Sequence, residues 1–267
     1  MALGVALWLC PKQSSAIYDK LTTLMSSLNT LFPGQPPRFD PHITITTNVD
    51  VNLENQDQTR EDVDRILSAC VAALHSLPKK HTNLVTLGRV NSQRMFFKKL
   101  YFQVGKDPNL LSFARIIREL FVILPQDIEL ENQKVNPHLY SKDSNGILKR
   151  KKSKKSKASS TSKSDMEPTT KELDLKYLQE RAAYKAAEWS AQEYDPHLSL
   201  AYSDIHPIDN ALWRTIKTRI SDYLNIENCD AEDLLDNGYG WDGGVLKLVL
   251  CEGPVNEWIT LGSVDIH

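Results

Sequence analysis

YDPHLSLAY, residues 194–202, repeats a phrase written far upstream, FDPHITITT at residues 39–47. Both copies read aromatic, Asp, Pro, His, apolar, hydroxyl, apolar, and His197 follows His42 by 155 residues. In an extended strand, residues i and i+2 point to the same side. PHITIT therefore sets His42, Thr44 and Thr46 on one face and Ile43 and Ile45 on the other, with Pro41 at the strand opening, where its missing donor is tolerated. PHLSLAY sets His197 beside Ser199, with Leu198 and Leu200 packed behind. If the two strands belong to lobes paired about a pseudo-twofold, two imidazoles and two hydroxyls converge on one cleft.

The flanking sequence supports two such lobes. VALWLC at 5–10, stopped by Pro11, reads as a strand. Ile17, Leu21, Leu24, Leu28 and Leu31 line one face of a helix that Ser14 or Ser15 caps. A second helix is expected at 59–75, strands at 84–90 and 99–105, and a third helix at 108–121. After a polar interval, helices are expected at 171–193 and 208–224, the second motif strand between them, and closing strands at 243–253 and 257–266. Each half of the chain thus offers helix, motif strand, helix and two further strands.

The whole chain bounds the function. Its 267 residues, 41% apolar, allow one large domain or two lobes, with a sizeable core. No apolar run of about 18 residues is present, so no transmembrane helix is expected. The N-terminus lacks a basic leader and reads as a strand, which points to the cytoplasm. Cys10, Cys70, Cys229 and Cys251 form no CxxC pair and read as buried thiols of a reducing compartment. KRKKSKKSK at 149–157 holds seven of the 32 Lys and Arg, leaving 25 against 34 acidic residues, or −9, for the remainder. An acidic body argues against broad nucleic-acid binding, so nucleic acid is not a required partner. The 141–170 stretch is Lys- and Ser-rich and is expected to be a disordered linker. Within it the basic run reads as a solvating linker, a nuclear-localisation patch or an RNA tether.

Two imidazoles with two hydroxyls suit metal-free hydrolysis of a phosphodiester. In-line attack needs a base beside the entering water and an acid beside the departing oxygen. Histidine, with an ordinary pKa of about 6.5, serves either role near neutrality. The hydroxyls donate to the non-bridging oxygens where charge builds. A strained cyclic phosphate is the favourable small-molecule substrate. A lone H-x-[ST] is weak, since roughly one match is expected by chance among seven histidines. Two matches inside one seven-residue phrase are far more specific.

HIT at 42–44 and HLS at 197–199 resemble the paired signatures of the two-histidine phosphoesterases. PHLSLAYSD, with ALWLCP near the start and GPVNEW near the end, is most similar to the fungal 2′,3′-cyclic-nucleotide 3′-phosphodiesterases. The resemblance implies a mixed α/β (α+β), bilobal fold, with mainly antiparallel sheets around a central cleft and helices outside. It implies one catalytic domain over 1–267, with 126–170 as an insertion. It implies no metal and no cofactor, and a monomer. The implied reactions convert ADP-ribose 1″,2″-cyclic phosphate, a tRNA-splicing by-product, to the 1″-phosphate and nucleoside 2′,3′-cyclic phosphates to 2′-phosphates. His42 and His197 become the acid–base pair, with His197 preferred as base. Thr44 and Ser199 become phosphate binders. Tyr202 becomes a substrate-contacting residue, although strict alternation places it on the face opposite His197 unless the strand ends or twists there. Trp8 falls where such enzymes place an aromatic near the site. The basic run permits the nucleus, and peripheral Golgi or other membrane association also stays open.

Other histidines read differently. NPHLY at 136–140 lacks the hydroxyl, so His138 is a loop residue. His75 and His81 are expected in solvent, His206 in a turn, His267 at the terminus. No HExxH or H-x-H pair marks a metal site. Arg89, Arg94, Lys98 and Lys99 read as a solvated face. The rival readings are an RNA-end or 2′,5′-phosphodiesterase using the basic run, and a non-catalytic RNA-binding adaptor.

Overall fold

The structure, a computed structural model, describes residues 4–78, 83–142, 148–151, 170–204, 207–227, 229, 234 and 238–266. Its strands are β1 (Val5–Cys10), β2 (Ile43–Thr46), β3 (Val85–Asn91), β4 (Leu100–Val104), β5 (Tyr140–Lys142), β6 (Leu148–Arg150), β7 (His197–Ala201), β8 (Gly240–Trp241), β9 (Gly244–Leu250) and β10 (Ile259–Ile266). Its helices are α1 (Ala16–Asn29), α2 (Gln56–Ser76), α3 (Pro108–Arg118), α4 (Leu124–Val135), α5 (Leu175–Gln192) and α6 (Asn210–Leu224). Eight strands form one antiparallel sheet in the order β10-β9-β1-β2-β7-β4-β3-β8, while β5 and β6 pair separately. The fold is the mixed α/β one expected.

The two motif strands are neighbours at the centre of this sheet, paired antiparallel with Ile43 opposite Leu198. The strand order is mirrored about that junction, with β1 flanking β2 as β4 flanks β7. The halves are not the consecutive halves that the sequence pattern implied. Strand β1 pairs along its whole length with β9, from Val5↔Leu250 to Cys10↔Val245, so the chain's two ends build the first motif's half. Strands β3 and β4, which precede the second motif by about a hundred residues, build the other.

The mirror extends to irregularities. On one side Trp8 pairs with Thr44 and Leu7 with Thr46, leaving Ile45 as an extra residue. On the other, Tyr101 pairs with Ser199 and Leu100 with Ala201, leaving Leu200 extra. A bulge of this kind interrupts side-chain alternation and re-aims the residues beyond it. Its effect is twofold. Thr46 turns away from His42 to join Leu7 on the helix side, where Arg118 donates to its hydroxyl at 3.0 Å. Ala201 likewise falls on the helix side with Leu100, so Tyr202 returns to the face of His197.

Helices cover one face of the sheet. Leu7, Leu9, Ile43, Ile45, Leu198 and Leu200 meet Leu21, Leu24 and Leu28 of α1, Ile66 of α2, Phe113 and Ile117 of α3, and Ile216 and Ile220 of α6 in one core. Truncating a fully buried ring such as Phe113 to alanine would cost about 3–5 kcal/mol. Ser15 caps α1 by accepting from the Tyr18 amide, as its position predicts, and Asp107 ahead of Pro108 caps α3. The opposite face carries a smaller cluster of Ala6, Trp8, Cys10, Val249 and Cys251, and His42 stacks on its Trp8.

Two expectations about the middle of the chain change. The third helix does not stop before Pro125. A π turn at Glu119–Ile123 carries it into α4. Proline cannot donate and crowds the carbonyl four residues back, here that of Phe121. The π turn frees that carbonyl, which accepts from the Asp50 amide at 2.8 Å. Helix α4 then docks on α5 through buried Asp127, which accepts from Lys185 at 2.8 Å and Arg181 at 3.0 Å. Residues 126–135 are thus part of the packed helical layer. Part of the stretch expected to be disordered is also ordered, since 141–142 and 148–150 form the β5–β6 ladder. The rest of that expectation, 143–147 and 152–169, and most of the basic run lie outside the described residues.

Candidate active site

Each histidine is held by its own motif in the same way. The His42 Nδ1–H donates to the Asp40 carbonyl at 2.7 Å, and the His197 Nδ1–H donates to the Asp195 carbonyl at 2.8 Å. This bond fixes the Nδ1–H tautomer when the ring is neutral, and it leaves Nε2 as the free base or acid. The repeated Asp-Pro-His is therefore one device built twice: the carbonyl two residues back aims the ring, and the intervening proline keeps the backbone extended.

The β2–β7 register joins the two devices. With Ile43 opposite Leu198, the antiparallel ladder sets His42 across from Ser199 and Thr44 across from His197. Directly opposed Cβ atoms lie about 5 Å apart and diagonal ones about 7–8 Å. The two imidazoles are the diagonal pair. His42, Thr44, His197 and Ser199, named from sequence, share this face of the sheet. His42 is only 4% exposed, while His197 and Thr44 are half-buried.

The site is walled by aromatics. Trp8 stacks on His42 with centroids 3.7 Å apart and planes 10° from parallel. In the mirrored place Tyr101 meets His197 edge-on at 5.4 Å. Tyr202 is buried and stacked on Phe39 at 3.9 Å, with Phe97 and Trp258 beside it. Its hydroxyl is within hydrogen-bonding reach of Ser199, and burial pushes its pKa upward. The Ser199 hydroxyl donates to the Phe97 carbonyl at 2.9 Å, so it must rotate to donate to a ligand.

Both imidazoles are poor bases for free protons. Burial pushes His42 down to about 4, against the Asp40 hydrogen bond, with His197 adding to the depression. Burial also lowers His197, opposed by the Asp195 hydrogen bond and assisted by Lys98. The motif aspartates carry lysines. Lys247 reaches Asp40 at 2.6 Å and Lys98 reaches Asp195 at 2.6 Å. Burial alone would raise Asp40, but Lys247 and the Tyr18 hydroxyl together hold it below the usual carboxylate range.

The sequence signature of cyclic phosphodiesterase-like proteins spans residues 1–266. The chain belongs to this family. It is 64% identical to a 2′,3′-cyclic-nucleotide 3′-phosphodiesterase of Debaryomyces hansenii, over 92% of this chain and all of that one. It is 61% identical to the Candida albicans protein of the same name, over 99% of this chain and all of the relative. The Saccharomyces cerevisiae protein of that name is 27% identical over 99% and 100% of the respective chains.

Against this family background, some of the site was missed by sequence reasoning. Tyr101 gave no sign, because an aromatic in KLYFQV reads as core. Lys98 was read as solvated, yet its side chain is 19% exposed and paired with Asp195. Lys247 leaves a signal in the sequence, a lone cation in the apolar strand GVLKLVL. Phe39 is the aromatic opening the first phrase. Arg89 donates to Gln103, which lies across β4 from His197. His138 sits in a 3-10 turn leading into the β5–β6 ladder, His75 is exposed, and His81, His206 and His267 lie outside the described residues. Among the described residues no group of three or more His, Cys, Asp or Glu could hold a metal ion, and no helix is long and apolar enough to cross a membrane. No disulfide joins the four buried cysteines, and burial pushes the Cys10, Cys70 and Cys251 thiols up to about 12.

Proposed function

We propose that the protein is a 2′,3′-cyclic-nucleotide 3′-phosphodiesterase working without a metal, with His42 and His197 as its acid–base pair. The observation carrying this reading is the pair of equivalent Nδ1–H bonds, to Asp40 and Asp195, on adjacent antiparallel strands. Two Nε2 atoms then flank one phosphoryl position. The names of the fungal relatives support the same reaction.

In the proposed reaction one neutral imidazole takes a proton from water as its oxygen bonds to phosphorus. The bond from phosphorus to the 3′ oxygen breaks, and the other imidazole, as imidazolium, gives its proton to that oxygen. The product is the 2′-phosphate, with one water consumed. Thr44 and Ser199 donate to the non-bridging oxygens as charge builds there. Tyr202 borders the same space through Ser199. His197 is assigned as base and His42 as acid. Burial opposes a charged His42, but the indole face of Trp8 favours an imidazolium, and an anionic phosphodiester beside it raises its proton affinity further. Trp258, which borders Trp8 and Tyr202, is the aromatic assigned to stack the base of a nucleoside or of ADP-ribose 1″,2″-cyclic phosphate, the substrate that would place the enzyme after tRNA splicing.

Phosphorus NMR of the protein with 2′,3′-cyclic AMP and then ADP-ribose 1″,2″-cyclic phosphate, in EDTA, tests the reading. Appearance of the 2′-phosphate and 1″-phosphate is expected, abolished in His42→Ala and His197→Ala by a factor of about 10²–10⁴ with the fold retained. Turnover at the unmodified rate in both variants would end it.

A further inference from the structure

We propose that Lys98 and Lys247 are matched positioning residues, each clamping the aspartate whose main-chain carbonyl aims one histidine, so that each lysine governs chiefly its own histidine. The inference rests on the two-histidine reading above and deepens it.

The geometry is the same on both sides. Each lysine ammonium lies 2.6 Å from the Oδ2 of its aspartate. Each aspartate carbonyl receives its histidine's Nδ1–H. The lysines are not part of the repeated phrase. Lys98 comes from a 3-10 turn (Phe96–Lys98) just before β4, whereas Lys247 lies on β9 opposite Trp8. Two unrelated segments therefore deliver the same cation to the same atom of each motif. The lysine side chains are largely covered, 19% and 16% exposed, which is unusual for lysine, while their aspartates stay partly open to solvent, Asp195 at 50% and Asp40 at 36%.

The clamp has a clear role. A carboxylate next to an imidazole competes with its own main chain for the Nδ1–H. Bound to lysine, the carboxylate is kept from that proton, and the less basic carbonyl keeps it. Around His42 stand Asp40, Lys247 and His197, with the Tyr18 hydroxyl and Cys10 reaching the Asp40–Lys247 pair. Around His197 stand Asp195 and Lys98, with Tyr101 and Gln103 opposite on β4, Arg89 behind Gln103, and His42 on the adjoining strand. Removing a lysine withdraws a positive charge and releases a negative one, and both changes favour the imidazolium. Removing the aspartate charge does the reverse.

The test tracks histidine titration and tautomers by proton–nitrogen NMR, together with the pH dependence of 2′,3′-cyclic AMP hydrolysis. In Lys98→Met, His197 should titrate at higher pH, and in Lys247→Met, His42 should, while the other histidine moves less and in the opposite direction through the repulsion between the two imidazoliums. Each is expected to lower kcat about tenfold with KM little changed, through misaimed rings. Lys→Arg should restore most of the rate. Asp195→Asn and Asp40→Asn, which preserve the carbonyl and the packing, should shift the same histidine downward and keep the test open if a methionine variant does not fold. Unchanged titrations, or equal shifts of both histidines in each variant, would overturn the clamp. Full turnover in His42→Ala and His197→Ala would instead overturn the two-histidine reading itself.

Discussion

Trp8 lies flat against His42, its indole 3.7 Å from the imidazole, centroid to centroid. That contact couples a strand at the start of the chain to the chemistry of the first motif. It also gives a neutral, buried histidine a partner that favours its charged form, by about 0.5–2 kcal/mol. Replacing Trp8 by leucine keeps bulk and removes the π face. The expected result is a fall in kcat/KM of roughly tenfold and a basic limb moved to lower pH, because the His42 imidazolium is then lost sooner. An unmoved limb would show that Trp8 only fills space.

The pH profiles of free and substrate-bound enzyme should differ. Burial lowers both histidines in the free protein, His42 to about 4. The optimum of kcat/KM is therefore expected on the acid side of about 6.5. A bound anionic phosphodiester favours both imidazoliums, so the kcat profile should sit about one unit or more higher. Initial rates across pH 4–9 at low and saturating substrate measure both. Superimposed profiles would mean that the phosphate does not approach the rings.

Burial of neutral His42 also makes stability depend on pH. The folded-state pKa lies below the unfolded value of about 6.5, so between about 6.5 and about 4 the unfolded chain binds more protons. Stability is then full above that window and declines as pH falls through it, by about 3 kcal/mol at most. Urea unfolding at pH 7 and pH 5 should show this slope in the parent and a shallower one in His42→Gln. Equal slopes would contradict a buried, neutral His42.

Asp127 provides the opposite case. Burial opposes its ionisation, but Lys185 and Arg181 together hold its carboxyl below the ordinary value. Its contribution is present above the unfolded carboxylate pKa of about 3.9 and is lost as pH falls through the lower folded value. Asp127→Ala should cost about 1–2 kcal/mol near neutrality, the two cations having solvent to turn to. Activity at 25 °C should be unaffected, since the partners of Asp127, Lys185 and Arg181, lie on α5 and not on the two motif strands. A loss of turnover without a loss of stability would give this helix pair a role in the site.

The sequence by itself determined the catalytic candidates and most elements. The doubled phrase carries alternation, aromatic and hydroxyl positions within a few residues, and local information of that kind survives without a structure. The amphipathic spacing of α1 and its Ser15 cap are local in the same sense. Tertiary structure alone decided which strands flank the motifs, because β1 with β9 and β4 with β7 are pairings across long separations that no local period encodes. It also decided the face of Thr46 and Tyr202, since a bulge at Ile45 or Leu200 is a property of two strands in register and not of either one. The same holds for Lys98 and Lys247. Their residue type is visible in the chain, but a cation's partner is set by distance in space, and only the folded sheet places each one 2.6 Å from a motif aspartate.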